Sequence, residues 1–428
     1  MFFCTHNSNT LAEIFNIEPN FSKPEILVIT NRDTTRTVAH ATIEEYTQWL
    51  FTKVPYIKIK VDHSPPLGGG NNIENFQPNF AVIDKEQYSY MLYYTLDETP
   101  THYTISYIIF DSLYQDGILS NSHTFTKDTL EKAIQNITND IYLKITGEFG
   151  FFLGKMMYTE RSKETGTQAL YSQDIRYNKK QYTKKTSLIT SPTYCNGGEK
   201  IFFSEKQSYT MNIQEMNADT LFHQTVKLPS EFEDLNISSP EVSEDCKTLL
   251  ISLSNGTQAS IYSLRNGKMQ SIIEDGNINT HPTFGNNGSI YYISNKFGTP
   301  KIFAKSQNGE VNIISRGLGA YIYYSISPNF EKIAFVKIFN GKFYFGVMNI
   351  DGSSEILLKT GYIIEAPSWA PVGNNVIIAI QETSKPVRKI YSISTMTGLA
   401  YPIWKLSGEF VQANFVINNN ETLEEKYH

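Results

Sequence analysis

Ser191-Pro192-Thr193-Tyr194 opens a pattern that returns as Ser239-Pro240-Glu241-Val242 and His281-Pro282-Thr283-Phe284. It continues through Tyr323-Tyr324-Ser325-Ile326, Ala366-Pro367-Ser368-Trp369 and Gln412-Ala413-Asn414-Phe415. The intervals between these six anchors are 48, 42, 42, 43 and 46 residues. A period of about 40 to 50 residues filled with short strands marks a β-propeller, one four-stranded blade per repeat. A single blade leaves apolar faces uncovered, so the repeats must stack around an axis.

Within a repeat the order is regular. An anchor strand leads to a polar turn such as Gly285-Asn286-Asn287-Gly288 or Ala370-Pro371-Val372-Gly373, and a hydrophobic strand follows, as in Leu249 to Leu253 or Val376 to Ile380. A third strand carries an aromatic residue, as in Ile261-Tyr262, Ile302-Phe303 and Ile390-Tyr391. Asn266-Gly267, Asn308-Gly309 and Asp351-Gly352 then supply the positive φ angles that tight hairpins need. Six anchors accompany only five complete repeats, leaving strands in 153–178 and the last strand, Glu409 to Ile417, unassigned. Pairing the last strand with the first blade closes the ring and removes the open edges. The expected fold is therefore a small N-terminal α/β domain followed by a six-bladed β-propeller closed by the C-terminal strand.

The α/β domain is read from residues 24–150. Pro24 to Thr30 and Tyr56 to Val61 read as strands, and Ile43, Tyr46, Trp49 and Leu50 form a helical stripe over Thr42 to Thr52. Tyr88 to Leu96 and Tyr103 to Phe110 read as paired strands, with a third after Gln115-Asp116-Gly117. Thr126 is a candidate N-cap for a long helix with apolar positions Leu130, Ile134, Ile137, Ile141 and Ile145, closed by Gly147. Ser64 to Asn72 reads as a flexible connector. Its glycines are followed by neither G-K-[ST] nor a helix start, so they are no phosphate cradle. Residues 1–23 and 418–428 read as tails, and 151–417 as the propeller.

A net charge of −6 and a pI near 5.8 speak against nucleic acid or an anionic membrane as the main partner. No apolar stretch approaches the roughly 18 residues of a membrane span. Met1 to His6 lacks the basic and apolar regions of a secretory signal, so the chain is either cytosolic or begins after a leader. Three cysteines, Cys4, Cys195 and Cys246, make no disulfide framework and fit reduced cytosol, though a large domain in an oxidising compartment is compatible with them. Cys195 and Cys246 sit at different offsets from their anchors, so no bridge between them is expected.

Catalytic motifs are lacking. There is no H-E-x-x-H, G-x-S-x-G, P-loop or paired C-x-x-C, and the eight histidines show no metal-ligand spacing. Glu244-Asp245 and Asp351 fall in blade turns, where carboxylates bond to backbone N–H groups. His281 is expected as a surface residue near the channel mouth rather than a ligand or base. No catalytic residue, cofactor or metal site is expected. The loops ahead of the anchor strands gather at one end of the channel, a face suited to docking a protein or peptide.

The helix end Ile141-Tyr142-Leu143-Lys144-Ile145-Thr146-Gly147-Glu148-Phe149-Gly150, running directly into a strand, resembles the "IYxxLTGExG" junction of the TolB family. Phe345 to Ser353, Glu365 to Pro371 and Ser294 to Phe303 (similar to "SDRxGxPQIY") match further segments of that family in order, over roughly residues 75–417. The resemblance implies a periplasmic, non-enzymatic component of the Tol-Pal system, supporting outer-membrane integrity and cell division. Its propeller mouth would bind the lipoprotein Pal, and its extreme N-terminus would engage TolA. By motif, the Pal-facing positions are Asn236 and Ser239, before Pro240, and Thr280, before Pro282. Relatives often have histidine at the first of these positions and alanine at the second. The leader is absent here, residues 1–23 match the TolA-binding tail poorly, and turns such as Ser327-Pro328-Asn329-Phe330 depart from the usual S-P-D-G. A peptidase-related propeller with a hydrolytic site and a cytosolic propeller scaffold are the alternative expectations.

Overall fold

The computed structural model describes residues 25–417, apart from 31–36, 53–56, 62–67, 70–72, 86–87, 148–149, 151, 153, 163, 186–187, 196–197, 208–209, 371–374, 386 and 406–408. Both expected tails, most of the 64–72 connector and part of the turn at Ala370 to Gly373 lie outside the described residues. Two compact units divide between Leu153 and Gly154.

In the first unit, strands β1 (Glu25–Thr30), β2 (Lys58–Val61), β5 (Tyr90–Glu98), β6 (His102–Asp111) and β7 (Asp116–Thr126) form one sheet in the order β2-β1-β5-β6-β7. The β1 pairings are parallel, and β5 to β7 form an antiparallel meander. Strands β3 (Gly68–Gly69) and β4 (Gln77–Pro78) make a separate short ladder, so part of the expected connector is paired. Period-two alternation sends Leu92 and Tyr94 toward helices α1 (Val38–Phe51) and α3 (Leu130–Thr146), where Ile43, Ile134 and Ile141 meet them. Met91 and Tyr93 point the other way, into a cluster with Phe76, Phe110 and Ile83 of α2 (Phe80–Lys85). Phe76 stacks on Tyr93 with ring centroids 3.8 Å apart.

Helix α1 starts at Val38, four residues before the expected Thr42, because Thr37 and His40 form a reciprocal cap, the threonine oxygen lying 3.0 Å from His40 Nδ1. Thr126 precedes one 3₁₀ turn, Lys127–Thr129, rather than capping α3 through its side chain. Gly147 closes α3 at φ 72°, its N–H bonding Leu143 O at 2.8 Å. Among the described residues no helix is long and apolar enough to cross a membrane.

The second unit is the six-bladed propeller. Blade one has Glu409–Ile417 innermost, then Gly154–Arg161, Gln168–Asp174 and Lys179–Gln181. The last strand of the chain thus pairs antiparallel with the first strand of the propeller, Ile417 opposite Gly154. Blades two to five begin with inner strands Ile189–Cys195, Asn236–Val242, Asn279–Phe284 and Ala320–Ile326, each followed outward by three antiparallel strands. Blade six has a broken inner strand, Ile363–Ile364 and Ser368–Trp369, both pieces pairing with Asn375–Gln381. Inner strands pack on the inner strands of neighbouring blades, and blade six packs on Glu409–Ile417, so the ring is closed.

Apolar side chains fill the gaps between blades. Phe202 and Ile213 of blade two pack with Ile251 and Leu253 of blade three, and Phe345 of blade five packs with Ile378 and Tyr391 of blade six. Such inter-blade burial is what makes an isolated repeat unstable. The turn carboxylates act as expected. Asp245 accepts from Ser243 Oγ at 2.6 Å and Lys247 N at 3.1 Å, and Asp351 accepts from Ser353 N at 2.9 Å.

One expectation is overturned. Cys195 and Cys246 form a disulfide, their Cα atoms 5.5 Å apart. Equal offsets from the anchors were the wrong criterion. Cys195 ends the inner strand of blade two, while Cys246 lies on the turn after the inner strand of blade three, which folds back beside it.

Candidate functional site: the loop-face mouth of the propeller

The outermost strand of each blade runs to the innermost strand of the next across one face of the ring, the loop face. The opposite, turn face carries the hairpins between first and second and between third and fourth strands. At the loop-face end every inner strand is irregular. Register shifts fall between Thr190 and Thr193, Ser238 and Glu241, Thr280 and Thr283, Tyr321 and Tyr323, and Phe410 and Ala413, and in blade six the strand breaks at the same place.

Sequence explains part of this. Pro192, Pro240 and Pro282 have no N–H to give the ladder, so the ladder must skip them. An extra residue is extruded as a β-bulge, and the residue before each proline turns left-handed: Ser191 at φ 51°, Ser239 at 50° and His281 at 52°. Glycine is the usual occupant of such a bulge. Serine or histidine there costs on the order of 1–3 kcal/mol each, strain of the kind that gathers at functional sites.

These bulges place the expected partner-binding residues. Asn236 is exposed at the loop-face end of the blade-three inner strand, Ser239 sits half-buried in its bulge, and Thr280 stands in the blade-four inner strand alongside. The two strands pack on each other, and Ser252 Oγ of blade three donates to Asn279 O of blade four at 2.6 Å. The three positions therefore lie on the inner strands of two adjacent, packed blades.

His281 departs from its expected surface position. Its ring Nδ1 lies 3.1 Å from Thr280 Oγ1 and its ring meets Tyr323 edge-on at 5.5 Å. Its carbonyl accepts from Tyr324 OH at 2.8 Å. The side chain is half-buried, and burial pushes its pKa down to about 4, so the ring is neutral at physiological pH.

Three features of the channel were not singled out from the sequence. Glu241 receives a hydrogen bond from Thr193 Oγ1 of the neighbouring blade at 3.3 Å, and its charge is felt by Tyr194 of blade two and Tyr324 of blade five. Only a position facing the axis reaches three blades. Burial pushes its carboxyl up to about 7, with the Thr193 hydroxyl opposing. Arg388 and Glu365 of blade six form an ion pair at 2.9 Å, their side chains 18% and 9% exposed. Tyr323 lies in the field of that pair, its hydroxyl pKa raised by burial and by Glu365. Glu365 occupies in blade six the place of Thr280 in blade four, so the anchor alignment was the signal that could have found it. Among the described residues no group of three or more His, Cys, Asp or Glu side chains is placed to hold a metal ion.

Strand order, ring closure and a mouth built on bulged inner strands define a closed six-bladed propeller, preceded by an α/β domain. Residues 142–415 match the family model described as the TolB beta propeller domain. The chain belongs to that TolB family. Over 204 residues it is 28% identical to the Tol-Pal system protein TolB of Francisella tularensis subsp. tularensis (strain WY96-3418), covering 45% of this chain and 46% of that protein. Over 104 residues it is 30% identical to the Tol-Pal system protein TolB of Rickettsia rickettsii (strain Sheila Smith), covering 24% and 23%. These matches span less than half the length of those curated relatives. The crystal structure of TolB from Acinetobacter baumannii superposes with a TM-score of 0.78 over 92% of this chain and 96% of that one, at 19% identity. At that identity the likeness speaks for the fold.

Proposed function

We propose that this chain is a non-enzymatic, periplasmic component of a Tol-Pal envelope system, docking the lipoprotein Pal at the loop-face mouth of its propeller. Through that contact it supports outer-membrane integrity and cell division. TolA is the second proposed partner, engaged through residues 1–23, which lie outside the described residues. What supports the reading is the repeated left-handed bulge at the mouth, with Ser239 in it on blade three, Asn236 in the same inner strand and Thr280 next to the bulged His281 on blade four. Polar, half-exposed positions of this kind suit a wet and reversible interface. The Cys195–Cys246 disulfide favours an oxidising compartment over the cytosolic scaffold alternative.

The test is titration calorimetry of the purified chain with the periplasmic domain of Pal. Micromolar or tighter binding is expected, weakened at least tenfold (about 1.4 kcal/mol) by Ser239→Trp or Thr280→Trp. Absence of binding overturns the reading, and absence of binding together with turnover of peptide substrates favours the peptidase-related alternative.

A further inference from the structure

Strand β7 of the α/β domain leaves an open edge. Its inner side pairs with β6, and among the described residues nothing pairs with its outer side. Open edges invite pairing with another chain, and folded proteins blunt them with short strands, lysines or prolines. The other outward edges are blunted in this way. Strand β2, at the far side of the same sheet, has four residues with Lys58 and Lys60 exposed. The outer strands of the blades have three to six residues, and Lys179, Lys180, Lys268, Lys359 and Pro402 lie on them. By contrast β7 has 11 residues, and from Gly117 to Thr126 it holds no Lys, Arg, Asp, Glu or Pro.

The edge is held in place from behind. Lys127 N donates to Thr101 O at 3.3 Å, which in this register turns the backbone groups of Leu119, Asn121, His123 and Phe125 toward β6. Those of Ser120, Ser122 and Thr124 therefore point outward, and all three residues are exposed. Side chains alternate in step. His123 Nε2 lies 3.3 Å from Asp140 Oδ2 of α3, so the odd-numbered side chains face the helix layer. On the other face the hydroxyls of Thr124 and Ser122 bond to those of Thr104 and Ser106 at 2.9 and 2.8 Å.

We propose that β7 pairs antiparallel with β7 of a second copy of this chain, about a two-fold axis through Ser122, joining two α/β sheets into one. In that register Ser122 faces Ser122 of the second copy, Ser120 faces its Thr124 and Leu119 faces its Phe125. Hydroxyl meets hydroxyl on one face and apolar meets apolar on the other. The residues whose backbone groups point outward face one another and exchange N–H···O bonds. Asp116, Lys127 and Asp128 lie beyond the paired stretch, so no like charges oppose each other within it. Any extended segment meets the backbone groups of an open edge. A second β7 also fits the alternation on both faces and brings no charge to the ladder.

The test is sedimentation velocity of the full chain across the micromolar range, where a monomer–dimer equilibrium is expected. Ser122→Lys and Ser122→Glu each set like charges on the two-fold axis and should each weaken the dimer by on the order of tenfold or more. An equimolar mixture of the two variants should restore it, because opposite charges then face each other. Ser122 is exposed, so the melting temperatures should stay near the parent's. Recovery in the mixture is also something that misfolded variants would not give. A parent that stays monomeric overturns the proposal. A dimer that persists undiminished in Ser122→Lys overturns it as well, and so do mixed variants that fail to associate. Calorimetry with Pal is read separately, and its failure bears only on the mouth.

Discussion

At Glu241 burial acts directly against ionisation. Its carboxyl is pushed up to about 7 in the folded chain from an ordinary value of 4.5. The unfolded chain therefore releases this proton first as pH rises, and the folded state binds more protons between those two values. Stability must then fall with rising pH across that window, a loss that totals roughly 3 kcal/mol once the pH is above it. Glu241→Gln keeps an acceptor for Thr193 and removes the ionisation, so it should be more stable than the parent at pH 8 and close to it at pH 4.5. Urea denaturation at both values reads the difference, and an equal effect at both would refute the account. Backbone strain gives a second prediction. Ser239→Gly should be neutral or stabilising within about 1 kcal/mol, since relief of the left-handed penalty offsets glycine's added chain entropy, whereas Ser239→Val should lose roughly 2 kcal/mol. Thermal melts of the two variants check this. Sequence showed the Ser-Pro and His-Pro anchors but not their left-handed turns. A residue before proline is ordinarily biased toward extended backbone, so the local rule pointed the other way. Tertiary closure of the ring overrides it.

Between neighbouring elements, the blade-two and blade-three junction is held by covalent as well as apolar contact. Cys195 and Cys246 are 51 residues apart in sequence, and closing a loop of that size restricts the unfolded chain by about 4 kcal/mol in the chain-entropy model. Cys195→Ser with Cys246→Ser should therefore lose about 2–4 kcal/mol, with the parent in reductant behaving alike. Denaturation that ignores reductant would show that the bridge is not formed. Within blade five, Gly346 sits in the third strand, Lys342–Asn349, where an added Cβ would lie 2.4 Å from Ile356 O and 2.6 Å from Phe335. Both neighbours are fixed, one being backbone and the other a fully buried ring. Gly346→Ala should cost roughly 1–3 kcal/mol, measurable by denaturant unfolding. Strand periodicity and turn dipeptides make most blade elements legible in the sequence. The disulfide was not legible, because it depends on how two blades lie side by side, which spacing along one chain does not encode. Helix α1 was read four residues short for a similar reason: its first turn is set by the Thr37–His40 cap rather than by an apolar stripe.

For the whole molecule, closure follows from a mismatch visible in the sequence: six anchors, five full repeats and one strand left over. The partner is less visible, because a propeller offers the same mouth to many ligands and only the side chains that line it distinguish them. Closure itself is testable. Glu409–Ile417 supplies the inner strand of blade one and also packs on blade six, so its removal exposes Gly154–Arg161 as an unpaired edge and uncovers the flank of blade six. A chain ending at residue 405 keeps every other inner strand. Calorimetry should show its propeller transition broadened and shifted down, and size-exclusion chromatography should show association through the open edge. Adding a synthetic peptide of residues 409–417 should restore a single sharp transition by strand addition. A truncated chain that melts like the parent would mean that the five complete blades stand without the closing strand.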